Sequence, residues 1–143
     1  MFKSIVVAVD GSPSSERALE YGVKLAKEGS SHLVLAHVTE LIAGRAGGTV
    51  NVDETELVQR LRERAEQLSK NGVPGTELKV ARTMSGGPAH AIAEIAAEAG
   101  ADLVITGTRG HTALTGLVVG SVAQRMMHVA HCPVLVVPGP AKD

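Results

Sequence analysis

The chain has 143 residues, a formal net charge of -1 and 44% apolar residues, of which aromatics account for only 1% of the chain. That length suits one domain, residues 1–143, with a core of its own, and the core has to be aliphatic. Near-neutral charge excludes a nonspecific nucleic-acid binder, which needs a basic surface, and Phe2 with Tyr21 offers no stacking platform for single strands.

The elements follow in chain order. Ser4 to Val9 is an almost unbroken apolar run that stops at Asp10-Gly11-Ser12-Pro13, the pattern of a strand buried on both faces. Ser12 is the N-cap and Pro13 the first residue of a helix reaching about Glu28, with Ala18, Gly22, Leu25 and Ala26 on one face and Gly29 as its stop. Leu33 to Val38 is a second buried strand. From Thr39 to Val52 the periodicity collapses around Ala43-Gly44-Arg45-Ala46-Gly47-Gly48, which predicts a mobile loop. Asp53 and Glu56 have capping-box spacing at the head of a helix running to Lys70, striped by Leu57, Leu61, Ala65 and Leu68 and closed by Asn71-Gly72. Thr76 to Thr83 alternates, with Leu78 and Val80 inward, as an edge strand does. Gly86-Gly87-Pro88 opens a third helix carrying Ile92, Ile95, Ala96 and Ala99, and Gly100 ends it. Asp102 to Thr106 is the fourth strand, Ser121 to Val129 the fourth helix, and Val134 to Val137, after Cys132-Pro133, the fifth strand.

Strands and helices alternate without internal repeat, so the fold class is α/β: a three-layer domain with a five-stranded, mainly parallel sheet and four helices. Right-handed crossovers with helices on both faces require the winding to reverse somewhere. With strand order 3-2-1-4-5 the reversal lies between the first and fourth strands. Asp10 and Gly107 directly follow those two strands, so one assumption brings the two most polar loops together.

The second of these loops is Gly107-Thr108-Arg109-Gly110, then nine residues, then Gly120-Ser121 at a helix start. Glycine lets main-chain N–H groups approach a ligand closely. The first N–H groups of a helix lack intrahelical partners and, with the positive end of its dipole, favour an anion. The loop is neither a Walker A motif, since no Gly-Lys-Ser/Thr occurs, nor a dinucleotide fingerprint. No lysine lies between Asp102 and Pro140, so phosphate has to be held by main-chain N–H groups, Ser121 and the helix end, with Arg109 and His111 as added positive charge. On the residues alone, a tight turn with close helix packing explains the glycines equally well.

Gly-x-x-Gly, nine residues, then Gly-Ser resembles the nucleotide-binding motif of the universal stress protein family. The start, Ile5-Val6-Val7-Ala8-Val9-Asp10-Gly11-Ser12, is similar to that family's first strand with its aspartate, and Ala130-His131-Cys132-Pro133-Val134-Leu135-Val136-Val137 to its last helix–strand junction. The resemblance spans almost the whole chain. It implies an adenine-nucleotide alpha hydrolase-like, Rossmann-like fold and, in the glycine-motif branch, ATP binding accompanied by Mg²⁺. Carried over by position, Asp10 contacts the nucleoside; Ala8, Val9 and Val38 line the adenine slot; Gly107, Arg109, Gly110 and His111 wrap ribose and phosphates; Gly120, Ser121 and Val122 hold the phosphates. Ser12 joins this set, although its first reading is a helix cap, and Asp10 also reads as a turn residue.

Other chemistry is sparse. His128 and His131 are three apart, but no third or fourth metal ligand has suitable spacing, so they read as cations at a helix end. His37 reads as a hydrogen-bonded core histidine and Cys132 as a small buried hydrophobe. No acidic residue lies between Asp102 and Asp143 to serve as base or water-orienting group, which predicts a switch or carrier with slow hydrolysis at most and no catalytic set. Val134, Leu135, Val136 and Val137 form an apolar edge that a second copy of the chain would cover, the homodimer that the resemblance also implies. A cyclic-AMP binder using the same pocket and a dimeric interaction module with a vestigial pocket stay open as alternatives. A single cysteine, which cannot form an intrachain disulfide, fits a reducing compartment. The start MFKSIVVAVDGS reaches a charged turn too early for a signal peptide, and no apolar run approaches the ~18 residues of a membrane span. The expectation is therefore a cytoplasmic protein with no membrane or nucleic-acid partner.

Overall fold

The structure, a computed structural model, describes residues 1–43, 49–51, 54–84, 87–108 and 119–140. In chain order the elements are β1 (Ser4–Ala8), α1 (Pro13–Gly29), β2 (His32–Ala43), β3 (Thr49–Asn51), α2 (Thr55–Lys70), β4 (Glu77–Met84), α3 (Pro88–Glu98), β5 (Leu103–Gly107), α4 (Ser121–Val129) and β6 (Val134–Val137). The parallel strands stand in the order β4-β2-β1-β5-β6, the expected arrangement. The winding reverses between β1 and β5, whose register pairs Val7 with Ile105.

Alternation through the sheet separates two layers of aliphatic side chains. Ile5, Val7 and Val9 pack with Leu33, Leu35 and Ile105 beneath α1 and α2, while Val6, Ala8, Val34, Ala36 and Val104 pack beneath α3 and Met126 of α4. β1 is buried throughout, as its unbroken apolar run requires. With each buried Val, Leu or Ile contributing about 1.5–3 kcal/mol, this central strand anchors both layers. On α2 the expected stripe faces the first layer: Leu61 and Ala65 are buried, and Leu57 and Leu68 pack at its margin. Gly22 is where α1 comes closest to the sheet, since a Cβ there would meet Val7 at 2.5 Å.

Several boundaries differ from the sequence reading. β2 runs on to Ala43 instead of ending at Val38, because β4 pairs with it as far as Leu41↔Met84 and a sixth, short strand pairs antiparallel through Ala43↔Thr49. Leu41 therefore has Met84 on one side and Asn51 on the other, which puts β3 on the β1 side of β2, beyond the carboxyl end of β1. The expected loop thus starts and ends as paired strand, and its glycine-rich centre, residues 44–48, lies outside the described residues. α1 includes Gly29 and is capped by Ser30 in the left-handed region, φ 51°, whose N–H donates to Ala26 O. α2 begins at Thr55 with Glu54 as N-cap and no side-chain capping bond; Asp53, the other half of the expected capping box, lies outside the described residues, as does Gly86 before α3. β5 extends through Gly107. Leu78 packs against the first layer, and Val80, on the same face of β4 beside His37, is 40% exposed.

Candidate functional site

The site is read from the ends of β1 and β5. Beyond Ala8 the chain stays extended: Val9 N–H donates to Ala36 O at 2.9 Å, and Val9 O faces His37 Nδ1 at 2.8 Å. Asp10 then turns the chain. Its Oδ1 accepts from Ser12 N–H at 2.9 Å and its own N–H donates to Ser15 Oγ at 3.3 Å. Gly11 sits at φ 81°, a conformation that disfavours any side chain. Ser12 is the N-cap of α1, its Oγ accepting from Ser15 N–H at 3.3 Å, and Ser15 Oγ donates back to Ser12 O at 3.1 Å. The helix start is therefore cross-wired by side chains, with Pro13 supplying no N–H to satisfy.

The β5 side is built differently. A Cβ on Gly107 would lie 2.8 Å from both the Cβ and the carbonyl carbon of Ser14, so the residue is glycine because the first turn of α1 rests on it. This is the packing reading of that glycine. Thr108 N–H donates to Val137 O at 2.9 Å, which ties the strand end to β6, and Thr108 O accepts from Gly120 N–H. The base of the loop is closed by that last bond; Arg109, Gly110 and His111 lie outside the described residues. Gly120, not Ser121, is the N-cap of α4; Ser121 is the first helical residue, and it is exposed. Gly120 has φ -70° and ψ 165°, open to any residue, and offers no side-chain capping bond. The backbone at Gly120 thus does not require glycine, unlike the packing at Gly107. Val122 packs against the core beneath α4 and Val38 against it on β2, both half-buried.

These contacts place Asp10 and Ser121 at one edge of the sheet through an unbroken series: Asp10 to Ser15, its neighbour Ser14 to Gly107, Thr108 to Gly120. Ala8 and Val9 form the buried floor between them, 9% and 3% exposed. The arrangement sets a carboxylate on one side and the dipole-positive start of α4 on the other, fit for a molecule with hydroxyls at one end and negative charge at the other. α4's first turn suits phosphate oxygens, and no side chain at Gly120 stands in their way. A divalent metal would find Asp10 at this edge and would complete its shell with phosphate oxygens and water. Among the described residues no group of three or more His, Cys, Asp or Glu side chains is arranged to hold a metal ion.

Three residues here were not placed in a site by sequence reasoning: His37, Glu54 and Arg17. His37 is 2% exposed and bonded at both ring nitrogens, the second to Glu54 Oε2 at 2.8 Å. Glu54 gave no sequence signal, because its partner is distant along the chain. Arg17 donates to Pro138 O and Gly139 O at 3.1 and 2.9 Å, fastening the chain after β6 to α1. Cys132 lies apart at the foot of α4, where burial, and then the charge of Asp102, push its thiol up and away from nucleophilic use. Of the expected edge strand, Val137 is buried, Val134 and Val136 are half-buried and Leu135 is 37% exposed; β5 is its partner among the described strands. No helix among the described residues is long and apolar enough to cross a membrane.

Comparison with known proteins covers almost the whole chain. The model of the universal stress protein family matches residues 1–138. The universal stress protein MJ0531 of Methanocaldococcus jannaschii is 32% identical over 146 aligned positions, spanning 100% of this chain and 86% of that one. Among solved structures, UspA of Lactobacillus plantarum superposes with a TM-score of 0.75 over 94% of this chain and 97% of its own; at 19% identity it speaks for the fold alone. A universal stress protein solved in complex with cAMP is 25% identical, with a TM-score of 0.66 over 97% of this chain and 98% of that one.

Proposed function

The chain belongs to the universal stress protein family, and we propose that it binds ATP, with Mg²⁺, as a nucleotide-dependent stress-response switch that hydrolyses ATP slowly or not at all. In this reading Asp10 receives the ribose hydroxyls. Ala8, Val9 and Val38 present the adenine slot, partly through main-chain groups. Gly107 sets the height of the floor, with Arg109, Gly110 and His111 around the ribose and phosphates. Gly120, Ser121 and Val122 supply N–H groups, and Ser121 a hydroxyl, to the phosphates. Ser12 acts through the cap that holds Asp10 in place. One observation carries the proposal: α4 starts on a glycine whose backbone angles do not require one, at the same end of the sheet as the Asp10 turn. The whole chain acts as one nucleotide-binding domain of a cytoplasmic protein, paired with a second copy through Val134, Leu135, Val136 and Val137.

Calorimetry with ATP, ADP, AMP and cyclic AMP tests this. Gly120→Asp puts a carboxylate where phosphate would sit, while aspartate is as good an N-cap as any. The variant should lose ATP affinity at least about tenfold, the factor that 1.4 kcal/mol of lost binding gives, and keep or gain thermal stability. Preserved affinity would place the phosphates elsewhere. Turnover at the ~1 s⁻¹ or more of working enzymes would replace the switch with an ATPase. Val136→Lys should give monomers by light scattering, and an unchanged dimer would move the interface. The cAMP-bound relative favours one second reading, a cyclic-AMP binder or buffer using the same pocket. Tighter binding of cyclic AMP than of ATP, insensitive to Gly120→Asp, would select it. No heat with any nucleotide would leave a dimeric interaction module with a vestigial pocket.

A further inference from the structure

His37 fastens three segments with one ring. Its Nδ1 meets the Val9 carbonyl 2.8 Å away, at the point where β1 stops pairing with β2. Its Nε2 meets Glu54 Oε2 at 2.8 Å, at the cap of α2, a few residues after β3. Both partners are of accepting type. A carbonyl oxygen carries no proton, an ionised carboxylate carries none, and a neutral imidazole has a single N–H. The two contacts together therefore need one proton more than neutral His37 with ionised Glu54 possesses. That proton lies between Nε2 and Oε2, on whichever atom carries it. Without it, only one of the two contacts keeps an N–H, and the other sets two lone pairs against each other at 2.8 Å.

We propose that His37 and Glu54 hold this shared proton as a positioning pair for the nucleotide site, coupling ligand affinity to pH. The proposal rests on the nucleotide reading above. His37 keeps the chain extended through Val9 and so aims Asp10; Val38, the next residue, belongs to the adenine slot. Glu54 holds the start of α2 against β2, on the side where β3 lies beyond the end of β1. Proton loss opens one of the two contacts, so the ring no longer ties the Val9–Asp10 wall to the α2 cap. The groups facing the ring come from each element packed there. β1 contributes the Val9 carbonyl, followed by Asp10, and α2 contributes Glu54. β4 places Val80 beside His37 and Arg82 beside Thr39, one pleat further on the same face. Between α1 and α2, Glu16 is paired with Arg64 at 3.6 Å, and Arg60 and Glu63 line the cleft around them.

Glu54→Gln separates proton from contact. A glutamine amide donates to the bare Nε2 of neutral His37, whose Nδ1–H still serves Val9, so this clamp closes without the extra proton. ATP affinity is measured by calorimetry with Mg²⁺ between about pH 5 and pH 8. Wild-type affinity should fall about tenfold relative to Glu54→Gln across that range, the variant serving as the reference for ATP's own titration. Glu54→Ala, which has neither proton nor contact, should bind about tenfold more weakly than wild type near pH 6. In ¹⁵N spectra of the free protein, the His37 ring should pass from two N–H nitrogens to one N–H and one bare lone-pair nitrogen as the shared proton leaves. Parallel wild-type and Glu54→Gln profiles, or wild-type affinity in Glu54→Ala, would overturn the pair's role and leave the nucleotide reading intact. Absence of ATP binding at every pH would overturn that reading and this one with it.

Discussion

The two banks of the site sit on neighbouring strands yet are built by opposite means. The β1 bank is held by side chains: Asp10, Ser12, Ser15, His37 and Glu54 all take part in the bonds that shape it. The β5 bank is held by backbone: Gly107 rests on Ser14, Thr108 bonds to Val137, and Gly120 bonds to Thr108. The difference teaches where a side chain is wanted and where it is not. A bank that aims a carboxylate needs its turn and helix start fixed by specific acceptors. A bank that offers N–H groups to an anion needs the space in front of them kept clear. The two glycines of the second bank divide that work, since Gly107 is required by packing and Gly120 is not required by its backbone angles.

The largest effect expected from breaking this contrast is at Gly107. Gly107→Ala drives a Cβ into the Cβ and carbonyl carbon of Ser14, neither of which is the tip of a flexible side chain, so α1 or β5 has to shift. Overpacking of this kind costs about 2–3 kcal/mol, read as a lower urea midpoint. Adding Ser14→Gly removes the Cβ half of the clash but leaves the carbonyl carbon, so the double variant should recover part of the loss and show a coupling of about 1 kcal/mol. A fully stable Gly107→Ala protein would return this glycine to a role in ligand approach alone.

On the opposite bank a single deletion is milder, because the wiring is shared. Ser12→Ala removes the acceptor for Ser15 N–H and so the side-chain cap of α1, which costs about 1 kcal/mol of stability. Asp10 keeps its contacts with the main-chain N–H of residue 12 and with Ser15 Oγ. Under the nucleotide reading, ATP affinity should therefore change less than stability does. A loss of affinity much larger than the loss of stability would promote Ser12 from cap to ligand.

The contrast also explains what could be read in advance. The strand order and helix set were legible because each element carries a local signal: β1 by its unbroken apolar run, α1 by Ser12-Pro13, α3 by Gly87-Pro88, α4 and β6 by the break at Pro133. The convergence of Asp10 and Gly107 then followed from topology. β3 and the long end of β2 were not legible, because Thr39 to Val52 has no period and its pairing is decided by β4 on one side and a returning chain on the other. Glu54 was invisible for the same reason, its partner being a buried histidine on a different element. Gly107 was visible but ambiguous: a glycine needed for packing and a glycine needed for phosphate look alike until Ser14 is seen beneath it. Val80 shares the face of Leu78, as alternation indicated, but on an edge strand it stays 40% exposed.

The smallest effect lies at the far end of the same strand pair, and it isolates the seam from the site. Asp102 directly precedes β5, and its carboxylate accepts from Lys3 N–H at 3.1 and 2.9 Å and from Ser4 N–H at 3.1 Å, closing the amino ends of β1 and β5. The Lys3 N–H above all holds this carboxyl below its ordinary value of 3.8, against the opposing pull of burial and with help from Ser4. A depressed carboxyl contributes stability that is complete above its unfolded-state value and is lost as pH falls through the folded one. The contribution should therefore be complete at neutral pH, start to fall at about pH 4, where an unfolded aspartate takes up its proton, and be gone only below the depressed folded-state value. Asp102→Asn should lower the melting temperature slightly at pH 7, and the gap to wild type should close as the pH is taken to about 2. Nucleotide affinity should not move, since this end of the sheet faces away from the site. A gap of the same size at both pH values would show that shape, not charge, joins the strands there.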